Sequence, residues 1–322
     1  MVIALNDKWI WDSWYAHDGE RWHAFFLQAD RSLGDPELRH WNVTQGHAVG
    51  KDLVNWRHLG TCFAPTDTPA WDDYTTWTGS VVRDDSGLWH LFYTGTSRAE
   101  DGLKQRIGHA TSTDLQSWRR VGTGLCLDLG PPYEEYAPGL WHDRAMRDPW
   151  VMRDPGCNGW LMFFTARVDG GPEANSRGAI GLATSPELLS WSLQPPVFSG
   201  GFGQLEVPQV LRLGERWYCI FCTDAGHWSK AFAASYPGEP VTGTHYLIAD
   251  DPLGPWRIGT GPFLDGTPEG KRYAGRILKT EEGPVFLGFL NAGPDGFIGV
   301  VSDPDPVRID TSGRLSLGEG SR

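Results

Sequence analysis

Four stretches of this chain are variations on one phrase. AVGKDLVNWRHLG, HATSTDLQSWRRVG, LATSPELLSWSLQ and IADDPLGPWRIG each run from an apolar strand end through a turn rich in Asp, Ser or Pro to a tryptophan and a short strand. Trp56, Trp118, Trp191 and Trp256 are the pivots. Repetition of this kind constrains a fold more tightly than local propensity, because each unit must be one supersecondary element stacked on its neighbours. Between the copies run segments of strong β composition: RWHAFFLQ, LWHLFYTG, GWLMFFTA, RWYCIFCT and PVFLGFLN. Each unit also opens on its own short strand: WDSWYAHD, WTGSVVRD, RDPWVMRD, EVPQVLRL and YAGRILKT. These openings start near Asp12, Thr78, Asp148, Glu206 and Tyr273, in steps of 66, 70, 58 and 67 residues.

A unit of opening strand, central strand, third strand and Trp-bearing outer strand is a four-stranded antiparallel sheet, and five such sheets arranged radially make a five-bladed β-propeller. Paired β-sandwiches also give short strands and turns, but the repeat order argues against them. The fifth copy, FIGVVSDPDPVRID, keeps the Asp/Pro turn and lacks the tryptophan, as terminal repeats do. The expectation is therefore an all-β chain with residues 1–322 as one propeller domain, no C-terminal β-sandwich, and a frayed tail after about residue 310. The composition agrees: 41 Gly, 23 Pro, 17 Trp and 14 Phe suit short strands joined by tight turns.

A formal net charge of −12 repels phosphate backbones, so nucleic acid is not an expected partner. No apolar stretch reaches membrane-spanning length and the N-terminus carries no secretory pattern, which predicts a cytoplasmic protein. Five scattered cysteines read as reduced thiols, and Cys219 and Cys222, three apart on a strand, point to opposite faces. Nucleotide, haem and metal motifs are not found, so no cofactor is expected, although so acidic a chain leaves room for a structural calcium. Oligomeric state is not legible.

In a propeller the innermost strands run along the central channel, so residues at their starts converge. The openings of units one, three and four carry Asp12, Asp148 and Glu206 beside aromatic or apolar residues. Three acids facing one funnel suit glycosidic-bond cleavage, which needs one carboxylate to attack or activate water and one protonated carboxyl to serve the leaving oxygen. Crowded carboxyls in a partly dry pocket also push each other's pKa values apart. Taken singly, Asp12 could cap a strand, Asp148 start a turn and Glu206 sit at an edge; their coincidence at the repeat openings favours chemistry.

With those residues in view, the chain resembles the five-bladed propeller glycoside hydrolases of the β-fructofuranosidase superfamily, families 32 and 68 and more distantly 43. QGHAVGKDLVNWRHLG is similar to the W-G-H-A-V-S-x-D-L-V-x-W stretch of invertases, WTGSVV to F-S-G-S-A-V, and RDPWVM to R-D-P-K-V. WDSW is similar to the levansucrase nucleophile motif, and LEVPQV matches E-C-P-D at Glu and Pro. The resemblance implies Asp12 as nucleophile, Asp148 as transition-state stabiliser and Glu206 as acid/base. It also implies substrate contacts from Arg147, Gln28, Thr78 and Ser80, with Trp11 and Trp77 as walls. Gln45, Trp11, Val207 and Gln209 depart from the family motifs. The implied reaction is retaining cleavage of β-fructofuranosides, sucrose or short fructo-oligosaccharides, with water or another sugar as acceptor. Retention calls for carboxyls roughly 5–5.5 Å apart, inversion for about 6.5–9.5 Å. An arabinofuranosidase-like enzyme and a non-catalytic sugar-binding propeller are the competing readings. Tyr133, Tyr136, Trp141 and His142, in the long segment before Arg147, are candidate contacts to the leaving group.

Overall fold

The computed structural model describes residues 3–157 and 159–318. Five antiparallel sheets follow one another in the chain, each ordered from an inner to an outer strand. Blade one is Lys8–His17, Trp22–Asp30, Thr44–Gly50 and Arg57–Phe63; blade two is Thr75–Arg83, Trp89–Thr96, Arg106–Ser112 and Arg119–Leu127. Blade three is Met146–Arg153, Trp160–Arg167, Gly178–Ser185 and Ser192–Ser199. Blade four is Glu206–Leu213, Arg216–Thr223 and Thr242–Ala249, with an outer edge split between Arg257–Ile258 and Asp265–Thr267. Blade five is Arg272–Thr280, Gly283–Gly293, Asp305–Ile309 and Leu315–Leu317, with Gly296–Val301 also paired to its second strand. Five four-stranded blades are thus confirmed, and the inner strands pack side by side in a ring.

Two expectations need correction. Residues 311–318 are not frayed: Leu315–Leu317 pairs with Val307–Ile309, and Leu315 is buried among Ile277, Phe286 and Val307. That apolar contact secures the last described strand; residues 319–322 of the expected tail lie outside the described residues. The pivot tryptophans also stand one residue before the outer strands, in the turn itself. There the indole N–H of Trp56 and of Trp191 donates to the carbonyl three residues back, at 3.2 and 3.1 Å, closing the turn.

The core lies between blades, because a central strand is covered on both faces and must be apolar wherever its side chains find no hydrogen-bond partner. Trp89–Thr96 and Trp160–Arg167 are buried at every position. Phe92, Met146 and Phe164 fill the space between blades two and three, and Ile10, Phe26 and Leu287 that between blades five and one. The ring closes at Ile3, whose carbonyl accepts the amide of Val301 at 3.0 Å. Cys219 packs in one apolar cluster while Cys222 bonds the Thr244 hydroxyl at 3.2 Å, so their faces do differ.

Candidate active site

Each inner strand carries the same irregularity. In blade one Ile10 faces Gln28 and Ser13 faces Phe26, so three steps on the inner strand match two on the central one. The same count holds from Trp77 to Ser80, from Arg147 to Trp150, from Glu206 to Gln209 and from Tyr273 to Arg276. One extra residue per strand is a β-bulge, which bends the strand and re-aims its side chains. Asp148, Val207 and Ala274 occupy the same place in their bulges, with φ of 58, 53 and 49°. Left-handed backbone at non-glycine residues costs about 1–3 kcal/mol each and persists where the surroundings over-determine it. In blade two Gly79 follows the equivalent position, where a Cβ would lie 2.1 Å from the Phe92 carbonyl oxygen.

The three acids are gathered by these bulges, though not at equivalent positions as the repeat suggested. Glu206 holds the first place, Asp148 the second and Asp12 the third, a stagger of one residue each that alternation alone could not reveal. All three line a cavity of about 660 Å³ together with Trp11, Trp77, Thr78 and Arg147. Two expected contacts are elsewhere. Gln28 is buried inside blade one, its amide donating to Thr44 and Thr61 hydroxyls at 3.3 and 2.9 Å, and its neighbour Leu27 lines the cavity instead. The Ser80 hydroxyl accepts the amide of Val151 at 3.1 Å and so ties blade two to blade three.

Each carboxyl has its own surroundings. The Thr78 hydroxyl donates to Asp12 Oδ2. Burial and the adjacent Asp148 nevertheless push Asp12 up to about 7, against that bond and the more distant Arg276. Asp148 Oδ2 accepts the Thr165 hydroxyl at 2.8 Å and the Val207 amide at 3.0 Å; burial raises this carboxyl too, opposed by Arg147. Burial would raise Glu206 as well, but Arg147 overcomes it. Arg147 Nη2 donates to Glu206 Oε1 at 2.7 Å and the Tyr273 hydroxyl to Oε2 at 2.5 Å, holding Glu206 below its ordinary range.

Sequence reasoning used Tyr273 only to mark the fifth unit, yet it stands where Glu206 stands in blade four, and that register was the available signal. Gln105 ends the segment Ala99 to Gln105, which the sequence offers as part of the funnel rim: its Oε1 accepts from Arg147 at 3.2 Å and its amide donates to Asp143 at 2.7 Å, orienting the arginine from a loop. His40, Asp224 and His227 also line the cavity. Of the four loop candidates, His142 lines it, whereas Trp141 lies 3.6 Å from the Arg167 guanidinium and Tyr133 bonds the Gln194 carbonyl at 2.7 Å as packing. Tyr136 is not among the lining residues. Gln45, a departure from the family pattern, donates to the Trp77 carbonyl at 3.1 Å, and Trp77 Nε1 to the His40 carbonyl at 2.8 Å, so one wall of the cavity is braced from blade one.

A family profile described as "Glycosyl hydrolases family 32 N-terminal domain" matches residues 12–250. A levanase of Bacillus sp. (strain L7) is 28% identical over 288 residues, 82% of this chain and 27% of the levanase. A sucrose-6-phosphate hydrolase of Escherichia coli is 28% identical over 211 residues, 63% of this chain and 38% of that protein. The chain thus spans about a quarter to two fifths of the length of these curated relatives. Among solved structures, an inulosucrase from Halalkalicoccus jeotgali bound to kestose superposes with a TM-score of 0.76 at 21% identity, covering 98% of this chain and 90% of the other. At that identity the likeness establishes a shared fold.

Proposed function

The chain belongs to glycosyl hydrolase family 32, and from that premise we propose that it is a retaining glycoside hydrolase of β-fructofuranosides. The observation that carries this reading is the convergence of Asp12, Asp148 and Glu206 from three blades on one cavity walled by Trp11 and Trp77. Asp12 attacks the anomeric carbon as the bond to the leaving oxygen breaks, and Glu206 gives that oxygen its proton. Asp148, with one oxygen already bonded to Thr165 and Val207, holds sugar hydroxyls and stabilises the cationic ring. Glu206 then takes a proton from water, or from an acceptor sugar, whose oxygen releases the fructosyl group and restores the Asp12 carboxylate.

Burial and Asp148 favour the proton on Asp12 while Arg147 keeps Glu206 ionised, the reverse of the arrangement the first step uses. The active form is the one-proton state of the coupled cluster with that proton moved to Glu206. Activity is therefore bell-shaped in pH, with its alkaline limb near the value of about 7 at which the cluster loses this proton.

The lining favours a neutral sugar. Among the described residues that line the cavity are six carboxyls and two arginines, and each arginine is already paired, Arg39 with Glu37 at 2.9 Å and Arg147 with Glu206. All five cysteines are unpaired, which supports a reducing, cytoplasmic setting and small substrates such as sucrose or short fructo-oligosaccharides. The test is incubation with sucrose, inulin-type oligosaccharides, levan and aryl arabinofuranosides, followed by product and anomer analysis. Release of fructose first as the β-anomer is expected. Inverted product, arabinose release alone, or binding without turnover overturns the proposal.

A further inference from the structure

One buried charge has no part in the steps above. Arg276, in the inner strand of blade five, is 1% exposed and reaches across the ring. Its Nε donates to the Ser13 carbonyl of blade one at 3.3 Å, and its Nη1 to the Val207 and Pro208 carbonyls of blade four at 3.0 and 2.9 Å. The guanidinium lies 5.4 Å from the ring centre of Trp150 in blade three. Nη2 has no partner among the described residues. The other inner strands place Ser13, Ser80, Trp150 and Gln209 at the same register, so Arg276 is the one ionisable group in that layer.

Burying a guanidinium costs several kcal/mol unless counter-charges surround it. Those charges are the reacting ones, Asp12 first and then Asp148. Asp12 also faces Glu206, whose own cation, Arg147, is taken up by Glu206, Asp148, Gln204 and Gln105. The Asp12 side of the cluster therefore has Arg276 as its cation. Val207, whose carbonyl Arg276 holds, is the residue whose amide bonds Asp148.

We propose that Arg276 is a positioning residue for the reaction, supplying the counter-charge that lets Asp12 ionise as nucleophile while pinning the bulges of blades one and four, which aim Asp12 and Glu206 and present the Val207 amide to Asp148. The inference rests on Asp12 being the nucleophile. A purely structural spoke would make the same hydrogen bonds, so the test separates charge from bonding. In Arg276→Met both limbs of the kcat/KM profile on sucrose move to higher pH by about one unit or more, because the carboxyls bind their proton more tightly without a neighbouring cation. In Arg276→Lys the limbs stay near those of the parent while thermal stability falls, since charge is kept and hydrogen bonds are lost. Unmoved limbs in Arg276→Met overturn the proposal. If Arg276→Met does not fold, Asp12→Asn/Arg276→Met is expected to recover cooperative unfolding, because the uncompensated acid is gone; a double variant that stays unfolded overturns it. A parent chain inactive on every fructoside, with that rescue still seen, would refute the nucleophile assignment and leave the charge pairing standing.

Discussion

Asp12 is the residue on which chemistry and stability pull apart. Its native pKa, raised to about 7, lies above the ordinary 3.8, so the folded state binds the proton more tightly than the unfolded chain does. That contribution is present below about pH 4 and is lost as pH rises through 7. Asp12→Asn is therefore expected to abolish turnover, by roughly 10⁴-fold or more, yet to raise the melting temperature at pH 8 by several degrees, a gain that vanishes near pH 4. Thermal melts across that range, read beside product release, check both halves. Tyr273→Phe removes the 2.5 Å bond to Glu206 and with it one of the interactions holding that carboxyl low. The acid limb of the pH profile should rise and kcat fall by about tenfold, with the melting temperature little changed; an unmoved limb would show that Tyr273 only packs.

Within the blades, the repeated W-H in RWHAFF and LWHLFY builds a buried chain across the strands. Asp18 bonds His23 at 3.0 Å and His23 bonds His47 at 2.9 Å; in blade two Asp84, His90 and His109 follow at 3.3 and 2.8 Å. Burial holds His47 and His109 down to about 3, so they fold as neutral imidazoles stacked on Phe25 and Phe92. Here the native value lies below the unfolded one of 6.5. Stability from these groups is complete above that pH and drains away as pH falls toward 3. Urea unfolding between pH 4 and 6.5 should show stability rising with pH from this source, and His47→Phe should reduce that slope by up to one proton, about 1.4 kcal/mol per pH unit. An unchanged slope would mean that His47 does not titrate on unfolding.

At the scale of the whole molecule, a net charge of −12 and an acid-lined cavity act together on whatever approaches. A phosphate dianion meets a repulsive field and no unpaired arginine among the described lining residues, whereas the hydroxyls of a neutral sugar can donate to the lining carboxyls and its ring can lie on the indole faces. The expected kcat/KM for sucrose exceeds that for sucrose 6-phosphate by at least about tenfold, and the gap narrows as salt screens the field. A preference for the phosphorylated sugar at low salt would contradict this account of the cavity. The ring also explains why a channel acid in blade one can be tuned from blade five: the inner strands meet side by side, and Arg276 crosses between them.

Much of this was legible in the residues alone. The spacing of the strand openings and tryptophan turns determined five blades, because each turn is local, two of them closed by an indole bond three residues long, and each strand declares itself by composition. The openings carried Asp12, Asp148 and Glu206, and Arg147, Trp11, Trp77 and Thr78 beside them, into one site. What tertiary structure alone decided is where these side chains point. A bulge adds one residue without disturbing the apolar pattern, so the stagger of the three acids was invisible, as was the turning of Gln28 toward Thr44 and Thr61 within its own blade. Tyr273 reaches Glu206, Gln105 reaches Arg147 and Arg276 reaches the backbone beside Asp12 and Glu206 from distant segments of the chain, and such meetings are set by the closing of the ring rather than by any local preference.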